Sequence, residues 1–305
     1  MKKFAVQHIT HNIHMNPKSD IPQTIPIKKI IQETPHVKTF IFEYDLGAVP
    51  GQFVNLWIPR LNEKPMSVAY CDEKEFWVTI FAVGPFSKAM HEKKEGDLIG
   101  VRGPYGKGFQ WEKGQHLVTV GGGYGAAPLY FLTKSASEDG CQVDFVVGAR
   151  SKEHLLYLDR VHELKNVDTH IATDDGSEGI KGYNVVILEQ LIEDAKKGKG
   201  MRVSCDGGMC KREEVEVKPI DWVYACGPEM MMKAVSDMCF DVGVNAQLSI
   251  ERYMKCGFGV CGQCTVDDGG KRMCKEGPVV TNDVAREITE FGKYHRDAQG
   301  QIHEF

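Results

Sequence analysis

Four cysteines within nineteen residues, Cys256, Cys261, Cys264 and Cys274, constrain this 305-residue chain more than any other feature. Four and then two residues separate the first three, and nine more lie between Cys264 and Cys274. That spacing, with a distal fourth cysteine, is the plant-type ligand pattern of a 2Fe–2S cluster. The residues in the gaps suit the same chemistry. Gly257, Gly259 and Gly262 allow positive φ and close backbone approach. A loop folded in this way turns its N–H groups inward on a negatively charged sulfide core. Two other readings use the same thiols. A zinc-binding structural site ordinarily shows two short Cys-x2-Cys knuckles, and only Cys261/Cys264 has that spacing; reduced structural cysteines are the other. Ten cysteines in all point to metal or redox work in a reducing compartment over a disulfide framework.

Hydrophobic periodicity divides the rest of the chain. Residues 25–111 carry short alternating runs at 37–42, 53–58 and 76–80, each bounded by Pro, Gly or Asp. Such runs predict strands of a small barrel or sandwich, with one helix over 87–94. After Gly114, apolar runs at 117–120, 143–148, 169–173 and 222–225 alternate with helical patterns at 126–135, 155–164, 188–195 and 230–242. That alternation predicts an α/β domain with a parallel sheet covered on both faces. The expected organisation is an N-terminal arm (1–21), a β-barrel domain (22–113), an α/β parallel-sheet domain (114–242), a small cysteine module (243–283) and a C-terminal tail (284–305). Residues 196–219 interrupt the α/β pattern and read as a surface hairpin around Gly207-Gly208. Cys205 and Cys210 within it are too few ligands for a second metal site. His8, His11 and His14 lack carboxylate or Cys companions and read as a solvated segment.

Several loops have the chemistry of nucleotide and flavin sites. Gly121-Gly122-Gly123-Tyr124-Gly125 follows a strand and opens a helix, where unpaired N–H groups and the helix dipole favour a pyrophosphate. The spacing is not G-x-G-x-x-G, and a plain Gly-rich turn fits the same residues. Cys226-Gly227-Pro228 ends a later strand of the same sheet, so both loops share the crevice at the strands' carboxyl ends. Cys226 reads either as a floor for a nicotinamide ring or as a buried thiol packing like a small hydrophobe. In the barrel, Lys64-Pro65-Met66-Ser67 ends a strand, Gly84-Pro85-Phe86-Ser87 precedes the lone helix, and Arg102-Gly103-Pro104-Tyr105-Gly106 makes a turn. Ser67 can hydrogen-bond a flavin edge, Lys64 a phosphate, and the helix start at Ser87 a pyrophosphate. No nucleophilic triad is visible, so any redox chemistry belongs to cofactors and no side chain is assigned as catalytic.

The bulk properties exclude other classes. With 37 basic and 42 acidic residues, the formal net charge of −5 gives no reason to expect nucleic acid as a partner. The apolar runs fall far short of the roughly 20 residues of a membrane-spanning helix. The first residues carry no signal-peptide core, so a cytoplasmic chain is expected.

In this order the motifs resemble the ferredoxin reductase-like flavoproteins, and over residues 22–300 they resemble the electron-transfer subunits of dihydroorotate dehydrogenase B. By that resemblance Lys64, Pro65, Met66 and Ser67 meet the flavin ring, and Gly84 and Ser87 its pyrophosphate. Gly103 and Gly106 belong to the turn that ends the FAD domain. Gly121, Gly122, Gly123, Gly125, Cys226, Gly227 and Pro228 hold the nicotinamide nucleotide, with Asp174 and Asp175 beside it. Cys256, Cys261, Cys264 and Cys274 ligate the 2Fe–2S cluster. The family usually has Arg at the place of Lys64, and Lys cannot reproduce a planar bidentate fork. The resemblance implies FAD as the flavin and NAD(H) or NADP(H) as substrate. Arg150, after the second sheet strand, leaves that choice open from the residues, and the family favours NAD. It implies a hetero-oligomer with a catalytic subunit, dihydroorotate dehydrogenase of pyrimidine biosynthesis first among candidates. Reductase subunits of sulfhydrogenases, sulfite reductases and NAD(P)H:ferredoxin oxidoreductases share the same motifs. Tyr253, Met254 and Phe258 are expected around a cluster facing that partner.

Overall fold

A barrel wall needs every second side chain to point inward, and the alternation in the first third of the chain supplies that. The computed structural model describes residues 21–206, 209–267 and 269–305. The histidine-bearing arm and the Gly207-Gly208 turn lie outside them. Strands β1 (Gln23–Thr34), β2 (Val37–Phe42), β3 (Phe53–Ile58), β4 (Asn62–Cys71), β5 (Phe76–Phe81) and β6 (Leu98–Tyr105) close in the order β1-β2-β5-β4-β3-β6. Phe40, Phe42, Leu56, Phe76, Ile80 and Ile99 fill the interior, with the Phe42 and Phe76 rings stacked at 5.0 Å. Helix α1 (Pro85–His91) adds Phe86 and Met90 to this core. It starts two residues before the expected helix because Pro85 takes a first-turn position, where its missing N–H costs nothing.

The structure corrects one expectation here. Lys64-Pro65-Met66-Ser67 does not end a strand but lies inside β4. Residues 62–67 pair only with β3, and pairing with β5 begins at Val68. Pro65 therefore sits where one edge of the strand has no neighbour, a place in which a residue without an N–H is tolerated.

The second unit is a seven-stranded sheet. Its elements are β7 (His116–Gly122), α2 (Ala126–Glu138), β8 (Gln142–Ala149), α3 (Leu158–His162), β9 (Val167–Thr173), β10 (Ile180–Lys181), α4 (Val185–Lys197), the hairpin β11 (Lys199–Asp206) and β12 (Met209–Glu216), then β13 (Trp222–Cys226), α5 (Glu229–Val242), β14 (Asn245–Ser249) and β15 (Val279–Thr281). The order is β10-β9-β8-β7-β13-β14-β15, parallel except for β15. Strand order reverses between β7 and β13, the place where open α/β sheets form their ligand crevice. The helix expected over 155–164 shrinks to five residues. Tyr157 takes a left-handed conformation at φ 66° so that its ring packs on Tyr130 and its hydroxyl reaches Thr39 and Thr79 of the barrel.

The cysteine segment is looped out between β14 and β15, two strands of that sheet. Helix α6 (Asn282–Glu287) and the hairpin β16 (Tyr294–Arg296) and β17 (Ile302–Glu304) follow. Ile288 and Phe291 are buried against the sheet core.

A largely buried polar chain links three neighbouring sheet strands. His116 on β7 meets Asp144 on β8 at 2.7 Å through Nε2, and the Lys218 carbonyl at 3.0 Å through Nδ1. His170 on β9 meets the other Asp144 oxygen at 2.7 Å. A carboxylate and a carbonyl can only accept, so both His116 nitrogens donate and the ring is an imidazolium. Burial acts against that charge, but the bond to Asp144 and its charge outweigh burial and raise the His116 pKa above 6.5. Burial likewise works against the Asp144 carboxylate, but the two histidines bring it down to about 2. The His116 contribution to stability is complete below pH 6.5 and is lost as pH rises through its raised value; the Asp144 contribution is complete above pH 3.8 and is lost as pH falls toward 2. His116→Gln should therefore cost about 1–3 kcal/mol near pH 6 and remove the alkaline limb of the curve. Thermal melts from pH 3 to 9 test this, and an unchanged alkaline limb in the variant would assign it to other groups.

Candidate functional site

A cavity of about 610 Å³ opens between the barrel and the sheet. Its barrel wall is Lys64, Pro65, Met66 and Ser67 with residues 79–81 and 83–87. These are the β4 residues whose second edge has no strand partner, so backbone groups there are free to meet a planar heterocycle. The Lys64 ammonium stands 4.6 Å from the centre of the Tyr253 ring, which also lines the cavity. The Ser87 hydroxyl is already engaged: it accepts from the N–H of Val83 and Gly84 and donates to the Gly84 carbonyl.

The opposite wall comes from the two glycine loops. Gly125 and Cys226 line the cavity, and the loops interlock behind it. A Cβ on Gly125 would lie 2.2 Å from the Cys226 carbonyl oxygen, and one on Gly122 would lie 2.6 Å from Pro228 Cδ. Only glycine lets the loops approach this closely. Asn184 at the start of α4 donates to the Gly121 carbonyl at 2.9 Å, fixing the end of β7. Gly121, Gly122, Gly227 and Pro228 pack behind the cavity wall, whereas Gly123 has open space around it, and none of the five lines the cavity. Asp174 and Asp175 follow β9 at the same sheet edge, their N–H groups bonded to the carbonyls of Ala149 and Arg150. The Asp175 carboxylate accepts from the Ser177 hydroxyl at 2.6 Å and its N–H at 2.9 Å, which holds its pKa below the ordinary value.

Glu251 is a cavity residue that motif reading missed, and it acts on Cys226 and Tyr124 of the two loops. Burial, reinforced by the nearby Glu251 charge, pushes the Cys226 thiol up to about 12, although Ser249 opposes this with a hydrogen bond. Desolvation by the surrounding walls also raises the Glu251 carboxyl, which is open to the cavity, with the Glu229 charge adding to this while Tyr124 and Arg252 oppose it. The Tyr124 hydroxyl donates to Glu251 at 3.5 Å, and the Tyr124 ring stacks on Phe81 of the barrel at 6.1 Å. Glu251 lies two residues beyond the end of β14, and the position of that strand was the missing signal.

The cysteine loop is clamped to the barrel. Arg102 forms a bidentate pair with Glu63 at 2.5 and 2.6 Å, then donates to the carbonyls of Cys256 at 2.6 Å and Lys255 at 3.2 Å. Asn55 donates to the same Lys255 carbonyl at 3.2 Å. Gly257, at φ 87°, lies so close to the Tyr105 ring that a Cβ would come within 2.8 Å. Gly103 and Gly106 are not in the cavity. Gly106 packs on Pro278, and the Lys107 N–H bonds the Gly277 carbonyl at 2.6 Å, so this turn supports the far end of the cysteine segment.

Within the loop, Cys256 Sγ accepts the Cys261 N–H at 3.5 Å and Cys264 Sγ the Cys274 N–H at 3.4 Å. Burial works against a Cys256 thiolate, but the N–H groups of Cys261, Val260 and Phe258 bring it down to about 6. Positive φ at Gly257, Gly259 and Gly262 and inward N–H groups around sulfur fit an iron–sulfur cluster, which needs thiolates in a donor-rich loop. Cys264 and Cys274 are buried and Cys261 is exposed. Of the three residues expected around the cluster at a partner face, only Phe258 is exposed. Met254 is buried in the core because the chain turns inward after β14, and Tyr253 faces the cavity.

Comparison with known proteins agrees with this architecture. Residues 119–237 match the oxidoreductase NAD-binding domain, and residues 251–284 match the iron–sulfur cluster binding domain of dihydroorotate dehydrogenase B. The electron transfer subunit of a probable dihydroorotate dehydrogenase B (NAD(+)) from Methanocaldococcus jannaschii is 41% identical over 280 residues, 92% of this chain and 97% of the relative. The corresponding Methanothermobacter thermautotrophicus protein is 42% identical, with the same coverage of each chain. Among solved structures, an NADH-dependent reduced ferredoxin-NADP oxidoreductase superposes with a TM-score of 0.69 at 28% identity, covering 87% of this chain and 89% of its own. The flavohem-like FAD/NAD binding domain of a Vibrio cholerae nitric oxide dioxygenase shares the fold at 16% identity, with a TM-score of 0.57 over 73% of this chain and 94% of its own. The chain belongs to the family of dihydroorotate dehydrogenase B electron-transfer subunits.

Proposed function

We propose that this chain is the electron-transfer subunit of a dihydroorotate dehydrogenase in pyrimidine biosynthesis, moving electrons between NAD(H) and a separate catalytic subunit by way of FAD and a 2Fe–2S cluster. One observation carries the reading: the 64–67 strand edge, the Gly125 and Cys226 loops and residues 249–254 leading into the cysteine loop line a single cavity. Bound at these sites, FAD supplies a junction between two-electron and one-electron chemistry, and the cluster supplies a one-electron carrier.

The chain's own residues bind and orient. The free edge of Lys64, Pro65, Met66 and Ser67 takes the flavin ring, and Gly84 and Ser87 shape the turn for its pyrophosphate. Gly121, Gly122, Gly123, Gly125, Gly227 and Pro228 form the nucleotide crevice, with Cys226 as its uncharged floor and Asp174 and Asp175 at its rim. Gly103 and Gly106 act by supporting the cysteine segment. Cys256, Cys261, Cys264 and Cys274 hold the cluster. The division into 22–113, 114–242 and 243–283, flanked by 1–21 and 284–305, assigns one cofactor to each central segment. Of the eight described cysteines, Cys71, Cys141, Cys226 and Cys239 lie outside the cluster set and are not paired in disulfides, which supports a reducing, cytoplasmic setting. A second reading, transfer to or from a ferredoxin, draws on the ferredoxin-NADP oxidoreductase superposition; supplying dihydroorotate dehydrogenase catalytic subunit or ferredoxin as alternative partners separates the two.

The anaerobic visible spectrum should show flavin bands over broad iron–sulfur absorbance, both bleached by NADH; a colourless protein after flavin and iron reconstitution would end this reading. Cys261→Ser, at an exposed position, should lose most of the iron and onward transfer while keeping NADH-to-flavin reduction within a few-fold. Retained iron and normal transfer in that variant would remove Cys261 from the ligand set. Arg102→Met should cost about 1–3 kcal/mol by removing its bonds to Glu63 and to the Lys255 and Cys256 carbonyls and lower iron retention. The check is a urea midpoint with iron content, and iron held as tightly as in wild type would mean the loop is fixed by other contacts.

A further inference from the structure

We infer that the exposed cysteine loop and a groove on the barrel form one docking face, and that the groove receives an apolar side chain flanked by a carboxylate from the catalytic subunit. The inference rests on the electron-transfer reading and adds the surface and the chemistry by which the partner is held.

The cysteine loop shows its apolar residues to solvent: Val260 is 78% and Phe258 37% exposed, on either side of the inward-turned Gly259 and next to the exposed Cys261. Across Arg102 lies a groove of about 460 Å³ walled by Pro22, Trp57, Arg60, Leu61, Glu63 and Arg102 itself. The Arg102 guanidinium stands 5.5 Å from the centre of the Phe258 ring and is held by Glu63, so loop and groove share one rigid wall. Trp57 and Leu61 are 37% and 44% exposed on that wall. This is the composition of an interface centre, an aromatic and an arginine beside a pocket.

Charge narrows the occupant further. Glu63 is engaged by Arg102, so Arg60 has no ion-pair partner among the described residues. Arg60 is exposed and takes a left-handed conformation at φ 65°, beside Leu61. A cation without a partner beside an apolar groove matches a partner carboxylate next to an apolar anchor. Continuity with the cysteine loop selects the catalytic subunit, because the protein that receives electrons must approach that loop.

The test uses the full-length holoprotein and the dihydroorotate dehydrogenase catalytic subunit, with complex formation measured by sedimentation. Leu61→Glu and Arg60→Glu should each weaken the complex roughly tenfold or more, with NADH–ferricyanide turnover unchanged. Val186→Glu, on exposed helix α4 of the sheet unit, should bind like wild type. Wild-type affinity in both groove variants overturns the inference. A change in self-association alone also overturns it, since the occupant is then a second copy. If the wild type bleaches with NADH but binds no catalytic subunit, the partner assignment fails while the cofactor reading stands.

Discussion

Arg102 is the contact through which the barrel and the cysteine loop become one body. A guanidinium this deeply buried is costly to desolvate, and geometry must compensate. Here the bidentate pair with Glu63 neutralises the charge, and the remaining donors are spent on the carbonyls of Lys255 and Cys256. Those two carbonyls belong to the residues that enter the cysteine loop. Its position relative to the flavin-side wall is therefore set by a directional, charge-assisted network instead of apolar packing, which tolerates sliding.

A second buried arginine does the same from the other side. Arg252 pairs with Glu229 at the start of α5 and with Glu290 beyond β15, all three nearly inaccessible. Glu229 also accepts the Gly292 N–H at 2.9 Å. Residues 251–256 are thus held by the nucleotide unit through Arg252 and by the barrel through Arg102. The same short segment supplies Glu251, Arg252, Tyr253 and Met254 to the cavity wall. Displacing it would change the cavity and the thiol loop together, so separation between the cofactor sites is a property of the fold.

Much of this was legible in the sequence because it rests on local patterns. The strands at 37–42, 53–58 and 222–225 and the switch to an α/β rhythm after Gly114 follow from periodicity, which tertiary packing reinforced. The cysteine spacing is equally local. The failures have tertiary causes. The helix over 155–164 was cut short because Tyr157 gains barrel hydrogen bonds in a left-handed conformation. Pro65 looked like a strand end because the single-sided pairing of β4 is a property of the barrel. The clamp was invisible because Arg102 and Cys256 are 154 residues apart. Met254 reads as surface in a Cys-rich loop only until β14 is known to deliver it to the core.

The cavity's electrostatics bear on how such a site avoids side reactions. A thiol beside a reactive heterocycle is a hazard when ionised, because the thiolate is the nucleophile. Burial and the neighbouring Glu251 push the Cys226 thiol up to about 12, so at neutral pH it offers a small, polarizable, uncharged surface. Desolvation by the cavity walls raises the Glu251 carboxyl as well, with the Glu229 charge adding to this. Tyr124 donates to that carboxyl and stacks on Phe81, so one residue of the glycine loop reaches both walls. The cavity wall still carries the Lys64 ammonium and the Arg252 guanidinium, while the ionic contacts that fix its shape, Arg102 with Glu63 and Arg252 with Glu229 and Glu290, are neutralised within their own networks. A site built to hold redox cofactors depends on this pairing, because unpaired charge behind its wall would not stay buried.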